Sequence, residues 1–164
     1  MADTFTKIYI QLVFATKYRA PLIQQSFKEN LYGYIGGILN GQGQIPLAIG
    51  GVADHIHILF IYKPSIPLSD LVRDIKRDSS AFVNKNRYTQ SQFRWQSSYG
   101  AFSYGSSQLD MIISYVKNQE EHHQKKTFRK EVKSFLTHYE AGDNPYGWID
   151  DSCTTLTGSK TNRD

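Results

Sequence analysis

The sequence predicts an α+β domain built on a ferredoxin-like, split βαβ sheet. Short runs in which apolar residues alternate with other residues are typical of strands, and longer runs between them keep the 3.6-residue spacing of amphipathic helices. In chain order these runs give strand, helix, strand, strand, helix, strand. That order is the split βαβ pattern, which we expect to form an antiparallel sheet with helices on one face, completed by a further helix near the C-terminus.

Each element follows from its local spacing and from the residues that end it. Gly41 ends the first helix, and the pair Gly50-Gly51 is a turn signal between the two middle strands. Ser107 and Asp110 resemble a capping pair at the start of the last helix. The predicted elements are a strand over residues 7–16, a helix over 27–38, strands over 46–50 and 55–61, a helix over 68–82, one or two short strands within 93–104, and the helix that begins near 107.

The length of 164 residues suits one domain. We expect this domain to span residues 1–150 and to include a short helix over 127–140, anchored by Phe135 and Leu136. Residues 151–164 are rich in Ser, Thr, Lys and Asp. They offer too few apolar side chains to offset the entropy of ordering, so we expect a disordered tail.

Composition narrows the class of protein. The formal net charge of +4 favours a polyanionic partner without requiring one. A single cysteine, Cys153, excludes an intrachain disulfide framework and a thiolate metal site, which fits the reducing cytoplasm. No apolar run is long enough to cross a bilayer, and residues 1–7 lack the features of a signal peptide. We therefore expect a cytoplasmic protein with no membrane partner.

Two histidines, His55 and His57, are one residue apart in the second middle strand. Successive side chains of a strand alternate between faces, so both imidazoles project on one side while Ile56 and Ile58 project on the other. Neutral imidazole is the commonest protein ligand for a metal ion. The alternative is a pair of polar residues on the solvated face of an edge strand.

A tyrosine and a glutamine lie four residues apart on the last helix. Tyr115 and Gln119 are therefore stacked one above the other at the border of the apolar stripe, where a phenol and an amide could face one site. A tyrosine in such a position more often packs on the core with its hydroxyl in water.

The combination of His-hydrophobic-His on a strand and Tyr-x-x-x-Gln on a later helix resembles the single-tyrosine HUH transposases of the IS200/IS605 type. The likeness covers residues from about 5 to 140 in the expected order. Gln11 marks a departure from the pattern, because many relatives have a histidine near this position. The runs that carry the resemblance are Val13–Arg19, Gly50–His57, Trp95–Ser103 and Asn118–His123.

The resemblance implies a transposase that binds hairpin-marked single-stranded DNA and cleaves and rejoins strands. Tyr115 is the implied nucleophile, which forms a 5′-phosphotyrosine, and the implied ligands of a divalent metal, Mg²⁺ or Mn²⁺, are His55, His57 and Gln119. This ligand set contains no carboxylate, which argues against a structural zinc site. The resemblance also implies a homodimer in which the tyrosine helix of one subunit completes the metal site of the other.

Other residues fit supporting roles around this site. Asp54 could orient a histidine or could simply close the turn after Gly51. His122 could shuttle a proton or contact DNA, or could lie at a solvated helix end. Aromatic residues between 95 and 104 could stack on unpaired bases, although some must belong to the core. The candidate DNA-binding residues are Lys17, Arg19, Arg73, Lys76 and Arg77, with a solvated helix face as the alternative for the last three.

Three other functions remain open from the sequence. One is an enzyme with the same site and another task, such as a domesticated HUH nuclease acting on palindromic repeats, or a replication initiator or relaxase. Another is a DNA hairpin-binding module with a vestigial site. The last is a ferredoxin-like interaction domain, which predicts neither a bound metal nor a tyrosine adduct.

Overall fold

Strands and helices follow one another in the predicted order in the computed structural model, which describes residues 3–125, 127, 130 and 131. Short 3-10 turns at Lys17–Arg19 and Ser106–Gln108 precede the first and third helices. The elements are β1 (Ile8–Ala15), α1 (Lys28–Gly41), β2 (Ile45–Val52), β3 (His55–Tyr62), α2 (Leu68–Lys85), β4 (Gly100–Tyr104), α3 (Leu109–Lys117) and α4 (Gln119–Lys125).

The four strands form one antiparallel sheet in the order β2-β3-β1-β4. This is the split βαβ arrangement, so the predicted fold class is confirmed. β3 lies inside the sheet, where His57 pairs with Val13 of β1 on one side and with Gly50 of β2 on the other. A strand in this position is covered at both edges, and β3 is buried from His55 to Ile61.

The two faces of β3 pack against different helices. Ile56, Ile58 and Phe60 belong to the main core, which α1 and α2 cover. Leu59, on the other face, packs with Ile112 of α3 in a second cluster. The predicted alternation of histidines and isoleucines is therefore confirmed, and the tyrosine helix α3 lies on the sheet face opposite α1 and α2.

The glycine pair Gly50-Gly51 lies within β2, so the prediction of a turn there is wrong. The turn is formed by Ala53 and Asp54 instead. A Cβ atom on Gly50 would lie 2.0 Å from the carbonyl oxygen of Val116 in α3, far inside van der Waals contact. The glycine therefore allows the backbone of the tyrosine helix to lie directly on the sheet.

The segment before and after β4 is more irregular than the sequence suggests. Within 93–104 there is one strand, β4, preceded by an isolated bridge between Trp95 and Thr16. The last helix is divided at Asn118 into α3 and α4. Most of the helix predicted over 127–140, with Phe135 and Leu136, lies outside the described residues, as does the tail 151–164. Among the described helices, none has the length and apolarity required to cross a bilayer.

Candidate metal centre and nucleophile

His55 and His57 are both fully buried, although they lie on the face of β3 opposite the main core. β3 is an inner strand, so these histidines do not belong to a solvated edge. Burial of two imidazoles requires polar partners, because an unpaired buried polar group is costly. Those partners come from β1, from the β2–β3 turn and from the C-terminal part of the described chain.

Three histidines and a glutamate converge at this point. One ligand atom from each of His55, His57, His123 and Glu131 lies within 4.8 Å of the others. Oε2 of Glu131 is 2.8 Å from Nε2 of His123, and its Oε1 is 3.4 Å from Nε2 of His57. Nε2 of His55 is 2.9 Å from Nε2 of His123. A carboxylate therefore stands beside the imidazoles, contrary to the expectation of a ligand set without one.

Asp54 holds the ring of His55. Nδ1 of His55 lies 2.7 Å from Oδ1 of Asp54, and Arg19 donates to Oδ2 of the same carboxylate at 3.3 Å. Burial raises the pKa of Asp54, but the hydrogen bonds and positive charges of His55 and Arg19 outweigh it and lower the pKa below its ordinary value. An ionised Asp54 keeps the proton of His55 on Nδ1, so that Nε2 presents its lone pair to the cluster. Asp54 thus both closes the turn and orients the histidine.

Gln11 and Tyr104 hold the ring of His57 from the other side. The Nε2 amide of Gln11 lies 2.7 Å from Nδ1 of His57, and the Tyr104 hydroxyl donates to Oε1 of Gln11 at 2.7 Å. Complete burial lowers the pKa of His57, since it disfavours the imidazolium form. His57 is therefore neutral, the form that can bind a metal.

Tyr115 lies beside the histidines of its own chain. Its ring centroid is 5.7 Å from that of His57, and the two planes are nearly perpendicular at 87°. On its other side, His122 of α4 has its ring centroid 4.7 Å from that of Tyr115. The half-buried phenol thus lies between a buried histidine of the cluster and an exposed histidine.

Gln119 occupies the first position of α4 and is buried. Its Nε2 donates to the carbonyl oxygen of Tyr115 at 3.0 Å. Its Oε1 is buried and has no hydrogen-bond partner among the described residues. A buried amide oxygen without a partner is an oxygen donor available to a cation, so the residues present fit a divalent metal.

His123 and Glu131 are site residues that sequence reasoning missed. His123 follows Gln119 by four residues and so lies on the same face of α4, which is the signal that could have found it. Burial, followed by repulsion between its imidazolium form and those of His55 and His57, lowers the pKa of His123 to about 4. Glu131 carries no such signal. It is buried, and its backbone nitrogen donates to the carbonyl oxygen of Thr127 at 3.0 Å.

A contact at the surface fixes α4 against α1. Glu120, next to Gln119, accepts a hydrogen bond from Lys28 Nζ at 2.6 Å, and Gln25 also donates to it. The hydrogen bonds from Lys28 and Gln25 lower the pKa of Glu120. The helix that carries Gln119, His122 and His123 is therefore attached to the N-terminal end of α1.

The predicted DNA-binding residues fall into separate environments. Arg19 belongs to the metal centre through Asp54, and it follows Tyr18 in a turn where both residues have left-handed φ angles of 51° and 58°. Arg73 lies in α2 and forms ion pairs with Asp70 and Asp74. Because α2 covers the sheet face opposite α3, Arg73 is not brought to the tyrosine.

A basic groove, lined by Lys17, Tyr18, Arg94, Trp95 and Ser97, lies beyond the end of β1 and has a volume of about 400 Å³. Arg94 and Trp95 also line an adjoining cavity with Lys76 and Arg77. Arg94, which sequence reasoning missed, thus links Lys17 to two of the basic residues of α2. It lies in an irregular segment, where no periodicity marks an exposed face.

Lys76 and Trp95 have structural partners at the edge of this groove. Nζ of Lys76 donates to the carbonyl oxygens of Gln96 and Ser98, both at 2.8 Å, and burial lowers its pKa to about 8. The indole of Trp95 is buried and donates to Ser79 at 2.8 Å. Phe102 is buried as well, whereas Tyr99 and Tyr104 are half-buried. Of the aromatic residues proposed as stacking platforms, Trp95 and Phe102 therefore contribute to packing.

The candidate site thus combines paired histidines on an inner strand of an antiparallel split βαβ sheet with a tyrosine on the helix that packs over them. Residues 4–119 match the family model described as "Transposase IS200 like", and the chain belongs to that family. No protein of curated function matches the chain closely enough to count as a relative.

Two solved structures share the fold. A candidate transposase from Deinococcus radiodurans R1 superposes with a TM-score of 0.59 at 21% identity, over 73% of this chain and 95% of that one. A REP-associated tyrosine transposase bound to a REP hairpin superposes with a TM-score of 0.51 at 12% identity, over 71% of this chain and 68% of the other. At these identities the likeness concerns the fold.

Proposed function

We propose that this chain cleaves and rejoins hairpin-marked single-stranded DNA through a covalent bond to Tyr115. The observation that carries the proposal is the position of the Tyr115 ring, 5.7 Å from His57 and on the sheet face that holds the buried cluster. This position supports a nucleophile that acts beside a bound cation. Membership of a transposase family supports the same chemistry.

The reaction is a phosphoryl transfer to the phenol. Oη of Tyr115 attacks the phosphorus of a phosphodiester, the bond from phosphorus to the 3′-oxygen breaks, and a 5′-phosphotyrosine and a free 3′-hydroxyl result. The phenol loses its proton, for which His122 is the neighbouring acceptor, and the leaving 3′-oxygen gains one. The phosphodiester bond is exchanged for a phosphotyrosine bond, so attack by a 3′-hydroxyl reverses the step without an external energy source.

His55, His57 and Gln119 are the residues we propose to hold a divalent metal, Mg²⁺ or Mn²⁺. A cation bound there supplies positive charge against the non-bridging oxygens of the scissile phosphate. Asp54 fixes the orientation of His55, and Gln11 fixes that of His57. Since both histidines are fully buried on an inner strand, little ordering remains to be done when the DNA arrives.

One chain holds both the histidines and the tyrosine in this structure. We therefore propose that the site assembles within a single chain, in place of the trans arrangement expected from the resemblance. Gly50 supports this view, because α3 rests on the sheet of its own chain at a distance that admits no side chain. The homodimer stays a prediction.

For the DNA, we propose that the basic groove contacts the phosphates of a hairpin. Lys17 and Arg94 line it, and Arg77 lines the cavity beside it. One of the structures that share the fold is bound to a REP hairpin, which favours a hairpin ligand and also supports the second candidate, a domesticated nuclease acting on palindromic repeats. Both candidates use the same site and differ in the DNA on which they act.

The experiment that tests the proposal compares three DNA substrates. The first substrate is a hairpin that carries a single-stranded flank. The second is an oligonucleotide of the same base composition whose order is scrambled so that it cannot pair, and the third is a blunt-ended duplex. The chain is incubated with each substrate in the presence of Mn²⁺ or of a chelator. We expect a covalent protein–DNA product on denaturing gels for the flanked hairpin with metal. Adduct yields that are equal for all three substrates would contradict hairpin recognition, and no adduct with any of them would contradict the enzyme function.

A further inference from the structure

The feature that reaches beyond the proposed ligands is the pair His123 and Glu131. Both side chains enter the cluster from outside the sheet, His123 from α4 and Glu131 from the chain that follows it. Glu131 is 3% exposed, so its carboxylate is removed from water. Neither residue is part of the His-hydrophobic-His or Tyr-x-x-x-Gln pattern.

We infer that His123 and Glu131 are metal ligands in their own right, so that this centre offers three imidazoles and one carboxylate, beside the amide of Gln119, to a first-row transition-metal ion such as Mn²⁺ or Zn²⁺. The inference rests on the proposed function, because it concerns the metal at the same histidines.

The contacts of Glu131 carry the argument. Its Oε2 lies 2.8 Å from His123 and 3.7 Å from His55, and its Oε1 lies 3.4 Å from His57. A buried carboxylate is stable only with positive charge or several hydrogen-bond donors around it. A cation bound by these four groups supplies that charge.

The contact between His55 and His123 supports the same conclusion. Two ring nitrogens, Nε2 of each residue, face each other at 2.9 Å. Asp54 keeps the proton of His55 on Nδ1, so Nε2 of His55 is an acceptor. Nε2 of His123 thus faces both Nε2 of His55 and Oε2 of Glu131. With a metal, these lone pairs converge on one ion.

The donor set determines which metals bind well. Mg²⁺ prefers oxygen ligands and retains several waters, whereas Mn²⁺ tolerates imidazole better and Co²⁺ and Zn²⁺ bind it more strongly still. Three nitrogens with one carboxylate oxygen therefore favour the latter ions over Mg²⁺. The sequence leaves the choice between Mg²⁺ and Mn²⁺ open. His123 and Glu131, as further ligands, favour Mn²⁺ over Mg²⁺.

Binding of metal to the chelator-stripped full chain tests the inference without reference to activity. Titration calorimetry with Mn²⁺, Zn²⁺ and Mg²⁺ is carried out on the parent chain and on Glu131→Gln and His123→Asn. Glu121→Gln, an exposed neighbour on α4, is the matched control, and His55→Ala is the reference for loss of the site. We expect each of the two variants to weaken Mn²⁺ binding at least about tenfold, and the control to bind like the parent.

The visible absorption of bound Co²⁺ is a second measurement, which tests the inference even if one of the variants does not fold. Co²⁺ bound to the parent chain absorbs strongly in visible light when it has four or five ligands and weakly when it has six. We expect strong absorption, which Glu131→Gln weakens or shifts.

Parent-like metal affinity in both Glu131→Gln and His123→Asn would overturn the inference. If His55→Ala loses the metal in the same experiment, the metal site of the proposed function still holds. A Co²⁺ spectrum that is the same in Glu131→Gln as in the parent chain would overturn the inference as well. Undiminished binding in His55→Ala would instead contradict the metal site of the proposed function.

Discussion

The side-chain amide of Gln11 lies 2.7 Å from Nδ1 of His57, at the point where β1 and β3 run side by side. Nε2 of Gln11 faces the ring, and Oε1 accepts a hydrogen bond from Tyr104. In this arrangement Nδ1 of His57 is the acceptor, and the proton of the neutral ring is on Nε2. Metal binding through Nε2 of His57 requires the tautomer whose proton is on Nδ1. Rotation of the Gln11 amide by about 180° stabilises this tautomer, because Oε1 of Gln11 then accepts a hydrogen bond from Nδ1–H.

This relationship predicts opposite effects for two substitutions at one position. Gln11→Glu places a carboxylate there that can only accept a hydrogen bond, so it fixes the proton of His57 on Nδ1 and we expect tighter Mn²⁺ binding. Gln11→Met removes the partner of Nδ1, and we expect binding about tenfold weaker. Titration calorimetry distinguishes them, and identical affinities in the two variants would contradict a role of Gln11 in setting the tautomer.

Gly50 predicts how closely the tyrosine helix must approach the sheet. A Cβ atom there would lie 2.0 Å from the carbonyl oxygen of Val116, so Gly50→Ala has to displace α3. We expect a loss of about 1–3 kcal/mol in the free energy of unfolding by urea, together with a marked loss of covalent adduct.

Gly37→Ala is the matched control for Gly50→Ala. Gly37 is an exposed position in α1 with open space around its Cβ direction. Alanine there should stabilise the chain by about 0.5–1 kcal/mol and leave the adduct unchanged, because alanine is the better helix former. A Gly50→Ala chain that is as stable and as reactive as the parent would refute the close approach of α3.

The lining of the basic groove predicts which basic side chains bind DNA. Lys17→Ala and Arg94→Ala should each weaken hairpin binding and reduce the slope of log affinity against log salt by about 0.7–0.9, the contribution of one phosphate contact. Arg73→Ala is the comparison, since Arg73 is held by Asp70 and Asp74 on α2 and does not line the groove. Fluorescence anisotropy over a salt series measures both quantities. An effect of Arg73→Ala equal to that of Arg94→Ala would place the DNA elsewhere.

The single-chain site predicts the outcome of mixing two defective subunits. A chain with His55→Ala and His57→Ala is mixed with a chain carrying Tyr115→Phe, and cleavage of the flanked hairpin is measured. We expect no recovery of activity, because each chain keeps its own tyrosine next to its own histidines. Recovery of cleavage in the mixture, with mixed dimers demonstrated, would establish the trans arrangement that the resemblance implies.

The parts of the site that were predictable from the sequence depend on local periodicity. The period of two places His55 and His57 on one face of a strand, and the helical period places Tyr115 above Gln119. The same local rules predict the order of the strands and helices, which the sheet order confirms.

Contacts between distant parts of the chain were not predictable in this way. Glu131 reaches the cluster from beyond α4, and no spacing in the sequence links it to His57. The sequence predicts a turn at Gly50, because the actual role of this glycine, contact with the backbone of α3, exists only in the folded chain. Arg94 joins Lys17 through an irregular segment, which has no period to reveal its exposed side.

The identity of the residue that becomes bound to DNA tests the central claim most directly. The covalent product formed with the flanked hairpin is digested with protease, and the peptide that carries the nucleotide is identified by mass spectrometry. Tyr99→Phe is the control, because the Tyr99 ring lies beside Lys76 and not between His57 and His122. We expect the nucleotide on Tyr115, adduct formation in Tyr99→Phe, and none in Tyr115→Phe with hairpin affinity nearly unchanged. A modified peptide without Tyr115, or an adduct that persists in Tyr115→Phe, would contradict the account.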